Sequence, residues 1–116
     1  MTVSNTRKSI FALVAIAAAS LMTTGAQAGL KKDFKQLKSD VGRLKHDRKE
    51  LRHDQKEFKH DKAQLARDIK AGNFKAVSRD LRELKQDRRE LRQDRQDIRS
   101  DRRDIKADMK RIKSHL

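Results

Sequence analysis

The chain predicts an all-α fold: two long helices forming an antiparallel coiled-coil hairpin, open to further oligomerisation. Three observations carry this expectation. Aspartate recurs every seven residues, from Asp33 to Asp68 and again from Asp80 to Asp108. Apolar residues keep the same spacing beside it, and the phase breaks once, at Ala71-Gly72-Asn73-Phe74. Seven residues are two turns of α-helix, so each series lies along one edge of a helix.

The first 28 residues follow another pattern. Arg7 and Lys8 precede an apolar run from Ile10 to Met22, and Ala26-Gln27-Ala28 supplies a small-x-small triplet. This reads as a secretory signal peptide of bacterial style, residues 1–28, with cleavage after Ala28. The run falls short of the roughly 18 to 20 apolar residues of a membrane span, so no transmembrane segment is expected after processing. The expected location is therefore the bacterial periplasm or the extracellular space. The segment holds Arg7 and Lys8 and no acid, so residues 29–116 carry 29 Lys and Arg against 17 Asp and Glu, a net charge of +12. Cysteine is absent, so disulfides do not staple the chain. With Phe34, Phe58 and Phe74 as the aromatics of this part, little material exists for a globular core.

Taking Phe34 as position a, the first arm (about 31–70) places Leu37, Leu44, Leu51, Phe58 and Leu65 at d. Its later a positions are Val41, Arg48, Gln55, Lys62 and Ile69. The second arm (about 75–115) has Val77, Leu84, Leu91, Ile98, Ile105 and Ile112 at d, with Leu81, Arg88, Arg95, Arg102 and Met109 at a. Position d is always apolar, whereas a is apolar only towards the ends of each arm. Gly72 and Asn73 suit the left-handed geometry that ends a helix, which places a turn at 71–74. Folding back there sets a against d in one register: Ile69 meets Val77, Val41 meets Ile105 and Leu37 meets Met109.

Every acid after residue 28 falls at g, the eleven Asp of the two series, or at c. Position c and the following g are one turn apart, so Glu50 stacks on Asp54, Glu57 on Asp61 and Glu83 on Asp87, all like-charge neighbours. This acidic edge needs cations from another helix. In the hairpin the basic a residues are expected to supply them as structural ion pairs. Arg88 reaches Asp54 or Asp61, Arg95 lies between Asp47 and Asp54, and Arg102 between Asp40 and Asp47. Arg48 reciprocates towards Asp94 and Asp101, and Lys62 towards Asp80 and Asp87. Each exposed pair contributes about 0.2 to 1 kcal/mol, enough to favour a register rather than to create stability. A parallel homodimer competes by pairing g with e, as in Asp47 with Arg52 or Asp94 with Arg99. The low entropy of closing a short turn favours the hairpin.

Position e is basic in both arms: Lys38, Lys45, Arg52 and Lys59, then Lys85, Arg92, Arg99, Lys106 and Lys113. The expected hairpin carries this strip on one side and the aspartates on the other. A basic strip binds polyanions, which outside the cytoplasm means anionic polymers or lipids of the cell envelope or matrix. The acidic side of one copy docking on the basic side of the next would build a homo-oligomer. Sequence-specific nucleic-acid recognition is not expected, since no aromatic stacking platform interrupts the strip.

An alternative reading is metal binding. His46, His53 and His60 occupy f in three successive heptads, with Glu50 and Glu57 at i+3 and i+4 between them. Imidazole and carboxylate one turn apart can share Zn, Cu or Ni. Successive histidines are about 10.5 Å apart along the axis, too far to share one ion. His115, near the C-terminal end, stands outside this stripe. The main reading requires no cofactor. Catalysis is not expected: Ser39, Ser78, Ser100 and Ser114 are isolated, Cys is absent, and two helices enclose no pocket. A small exported helical chain invites comparison with the Spy-like envelope-stress chaperones. Their Leu-Thr-x-x-Gln signature is missing here, so no residue is carried over. A small periplasmic holdase stays as a further alternative, resting on the apolar seam.

Overall fold

A computed structural model describes residues 27–116. The fold is all-α: helix α1 (Gln27–Lys70) and helix α2 (Phe74–Ser114) pack against each other as a helical hairpin. Among the described residues no helix is long and apolar enough to cross a membrane. The expected signal segment, residues 1–28, lies outside the described residues except for its last two positions, which belong to α1.

The reversal is built by local chemistry. Gly72 takes a φ of 68°, which no side chain obstructs. Around it the Gly72 amide donates to the Ile69 carbonyl (3.1 Å) and the Asn73 amide to the Asp68 carbonyl (3.1 Å), the Schellman closure that satisfies the last carbonyls of α1. Asn73 then opens the second helix. Its Oδ1 accepts from the Ala76 amide at 3.3 Å, an N-cap three residues ahead.

The chain divides into two compact units. The first takes in α1 up to Gly42 and α2 from Arg103. Its core consists of Leu30, Leu37, Ile105 and Ile112, with Asp40 and Asp108 buried among them. The second comprises residues 43–102 and includes the turn. There Leu44, Ala76, Leu84, Leu91 and Ile98 are buried together with Asp80, Asp87, Asp94 and Asp101.

In both units the buried lines are d and g, not d and a. The step from d to g is three residues and from g to d four, the same alternation that an a/d seam uses. Two seams were therefore geometrically available. The a line of α2 would have driven Arg88, Arg95 and Arg102 inside, whereas the g line offers only short Asp side chains. The hairpin buries the short ones: Arg88, Arg95 and Arg102 are exposed, and Leu81 at a is 54% exposed.

The expected ion pairs change accordingly. Asp40 lies against Asp108 in the first unit. Asp54 lies against Asp94, Asp61 against Asp87 and Asp68 against Asp80 in the second. This register is displaced by two residues from the expected one, which would have set Asp54 opposite Arg92. In these four pairs aspartate faces aspartate. Lys62, expected to reach Asp80 and Asp87, is exposed and holds its Nζ 5.3 Å from the centre of the Phe58 ring. Arg48 is half-buried.

Candidate functional site

The seam of facing carboxyls is the chemically unusual feature of the hairpin. Two carboxyl groups in hydrogen-bonding contact need one proton between them, because a carboxylate only accepts. Burial, and then the facing carboxyl, push Asp87 (against Asp61), Asp94 (against Asp54) and Asp108 (against Asp40) up to about 7. Further acids add to this: Glu90 and Glu57 beside Asp87, Glu50 and Asp97 beside Asp94. The Arg111 guanidinium, bonded to Asp108, works in the opposite direction. At the turn, the hydrogen bond between Asp68 and Asp80 splits the pair, holding Asp68 below the usual carboxylate range and Asp80 above it. Gln64 Nε2 donates to both Asp68 oxygens at 3.2 and 3.3 Å and so favours its ionised form.

Relief along the seam is uneven. Arg43 approaches Asp101 at 3.8 Å, and Arg79 approaches Asp80 at 4.0 Å. At the outer end of the series Asp33 meets His115 Nε2 at 3.0 Å and Arg111 at 3.9 Å. His115, which the sequence set apart, thus occupies the place where a facing acid would continue the ladder. Asp80, Asp87, Asp94 and Asp108 each keep an Oδ2 that is buried without a hydrogen-bond partner. A buried polar atom left without a partner costs about 1 to 3 kcal/mol, and that cost adds to the burial that disfavours the ionised form of these carboxyls.

The histidine stripe divides into two clusters on α1. His46, Asp47 and Glu50 form one, His53, Asp54 and Glu57 the other, and in each the potential ligand atoms all lie within 4.8 Å of one another. His46 Nε2 stands 3.3 Å from Glu50 Oε1, and His53 Nε2 stands 3.8 Å from Glu57 Oε1. His60 lies against Asp61 at 3.4 Å. A third cluster crosses the hairpin, with Glu57 of α1 beside Asp87 and Glu90 of α2. Asp47, Asp54, Asp87 and Glu90 were not foreseen as members. The His-Asp dipeptides pointed to the first two; the last two depend on the inter-helix register, which no local pattern reveals. The two histidine clusters open into shallow grooves, one lined by His46, Lys49, Glu50, His53, Asp54 and Glu90 and the other by His53, Lys56, Glu57, His60 and Asp61.

The basic strip occupies the outside. Lys38, Lys45, Arg52 and Lys59 on α1 are exposed, as are Lys85, Arg92, Arg99, Lys106 and Lys113 on α2. Every g aspartate is buried or half-buried. The g aspartates are therefore withdrawn from the acidic outer side expected from the sequence, while Glu50, Glu57 and Glu83 at c stay exposed. No protein-family model, curated protein or solved structure matches this chain.

Proposed function

We propose that the protein is an exported, non-enzymatic helical hairpin that associates electrostatically with anionic polymers of the cell envelope or extracellular matrix. The observation supporting this reading is the separation of charge: the basic e residues are exposed while the g aspartates are withdrawn from the surface. A polyanion approaching the e strip meets lysine and arginine, with the g aspartates screened behind them and the exposed c acids Glu50, Glu57 and Glu83 fewer than the surface cations. The Arg7-Lys8 start, the apolar run and the Ala26-Gln27-Ala28 triplet support export.

Heparin and lipopolysaccharide titrations across a NaCl series test the reading. The logarithm of affinity should fall linearly with the logarithm of salt concentration, as counterion release demands. Replacing Lys45, Arg52 and Lys59 together by Gln removes about 1 kcal/mol per cation near an anionic surface, roughly a hundredfold in affinity. Affinity indifferent to both salt and substitution would rule the proposal out.

A further inference from the structure

We propose that the turn end of the hairpin docks on an anionic phospholipid surface, with Ile69, Phe74 and Leu81 entering the bilayer interface and the basic residues around them holding the phosphates. Of the four large hydrophobic side chains exposed among the described residues, three lie here: Phe74 is 80% exposed, Ile69 59% and Leu81 54%. All three occupy position a, the line that the d/g seam leaves outside. With d and g inside an antiparallel pair, the a lines of both helices flank the seam on the same side. The three residues therefore form one patch within the second unit, on either side of the reversal at Gly72. Single exposed apolar residues are ordinary, whereas a group gathered at one end marks a contact surface.

Charge selects what covers it. Residues 66–82 carry five cations, Arg67, Lys70, Lys75, Arg79 and Arg82, against two acids, Asp68 and Asp80. The five cations are exposed, whereas Asp68 is half-buried, Asp80 is buried, and the two carboxyls face each other. Arg67 is engaged with Gln64 at 2.8 Å, and Arg79 with Asp80 and Glu83 at 4.0 Å each. Lys70, Lys75 and Arg82 are the cations assigned to the phosphates. Further from the turn the a line itself becomes cationic, at Lys62 on α1 and Arg88 on α2, both exposed. An apolar end bordered by cations suits a membrane interface: apolar groups reach the acyl boundary while long basic side chains stretch to the headgroups.

Other occupants fit less well. A symmetric contact between two copies would set these cations against themselves, and three side chains fall short of the surface, about 800 Å² per partner, that a stable protein interface buries. A soluble polyanion would neutralise the cations but offers Phe74 no apolar phase to enter. The inference rests on the proposed function for an anionic envelope surface as the partner, and adds to it a lipid phase and a contact separate from the e strip.

The chain has no Trp and no Tyr, so Phe74→Trp places a single fluorophore at the turn. Its emission in the full chain is titrated with vesicles of phosphatidylcholine alone, with vesicles of phosphatidylcholine and phosphatidylglycerol in equal parts, and with heparin. The expected result is a blue shift on the anionic vesicles and quenching by brominated acyl chains within them, with neither effect on phosphatidylcholine alone or heparin. Gln55→Trp, exposed on the same line two heptads before Ile69, should show no shift. In the Phe74→Trp background, changing Lys70, Lys75 and Arg82 together to Gln should weaken the vesicle titration roughly a hundredfold. Ile69→Ser with Leu81→Ser should weaken it about tenfold or more. All the replaced side chains are exposed, so helicity by circular dichroism should be unchanged. The proposal is overturned if anionic vesicles leave the emission unshifted, or if the shift survives either set of substitutions. A shift that grows with protein concentration in the absence of lipid also overturns it, assigning the patch to a second copy. Salt-dependent heparin binding without the lipid shift would remove this contact and leave the e strip; the lipid shift without heparin binding would do the reverse.

Discussion

Raising the pH should loosen this hairpin, opposite to what a protein held together by ionised salt bridges would do. The perturbation is a shift from pH 5.5 to 8.5 in EDTA at fixed ionic strength. Asp87, Asp94 and Asp108 are pushed to about 7 by burial and by the facing Asp61, Asp54 and Asp40. A carboxyl raised in the folded state binds its proton more tightly than in the unfolded chain. Its stabilisation is complete below the unfolded value near 4 and is lost as pH rises through 7. Between about pH 5 and 6.5 the folded chain holds close to one extra proton per pair, and each such proton changes stability by about 1.4 kcal/mol per pH unit. Three independent pairs would set a ceiling of about 4 kcal/mol per unit. The seam is a single layer between two helices, so nearby water screens it, and about 1 to 2 kcal/mol per unit is the working expectation. For a chain of this size that corresponds to roughly 5 to 15 °C in Tm for each unit. Circular dichroism melts across the range measure it. Replacing Asp54 and Asp94 together by Asn, whose amides donate and accept without titrating, should remove about a third of the slope. A Tm that stays flat or climbs between pH 6 and 8 would refute the facing-carboxyl seam.

Two further outcomes separate the observed seam from its rival. Leu84, 7% exposed at d, should cost about 2 to 4 kcal/mol on truncation to Ala, whereas Leu81, 54% exposed at a, should cost well under 1. Equal losses in urea unfolding would restore an a/d seam. At the turn, Gly72→Ala meets no atom within 4 Å of the added Cβ, so its effect comes from the positive φ alone. A loss of about 1 kcal/mol in the same assay is expected, and an unchanged midpoint would mean that the turn does not adopt the left-handed conformation.

The helices and their reversal were legible because each has a local cause. Seven-residue spacing specifies the helices, and Gly72-Asn73 specifies the break between them. The seam was not, because d/a and d/g share the same three-and-four alternation. Treating carboxylates as groups that require solvent or arginine favoured the wrong line. A clue was nonetheless present. Position a varies freely among Phe34, Val41, Arg48, Gln55, Lys62 and Ile69, while g is Asp at every turn of both series. Invariance within one chain's own repeat is the mark of a packed position, since a solvated one tolerates any polar residue. The His46 and His53 clusters were readable from i+4 spacing. The meeting of Glu57 with Asp87 and Glu90 was not, because a two-residue change of register moves the facing partners.

The inward acids and outward bases act on each other. Residues 29–116 carry a net charge of +12 and repel themselves, and aspartates within the seam lie inside a Debye length of about 10 Å from the surface cations, close enough to offset part of that repulsion. Each proton retained by a facing pair cancels one internal negative charge and leaves the outer field more positive. One proton on each of the three raised pairs takes the net charge from +12 to +15. A polyanion drawn to that stronger field must in turn tighten proton binding in the seam by the same factor, because coupling between two sites is reciprocal. On the proposed function, the proton occupancy of the interior acids would set how strongly the exterior attracts an anionic partner.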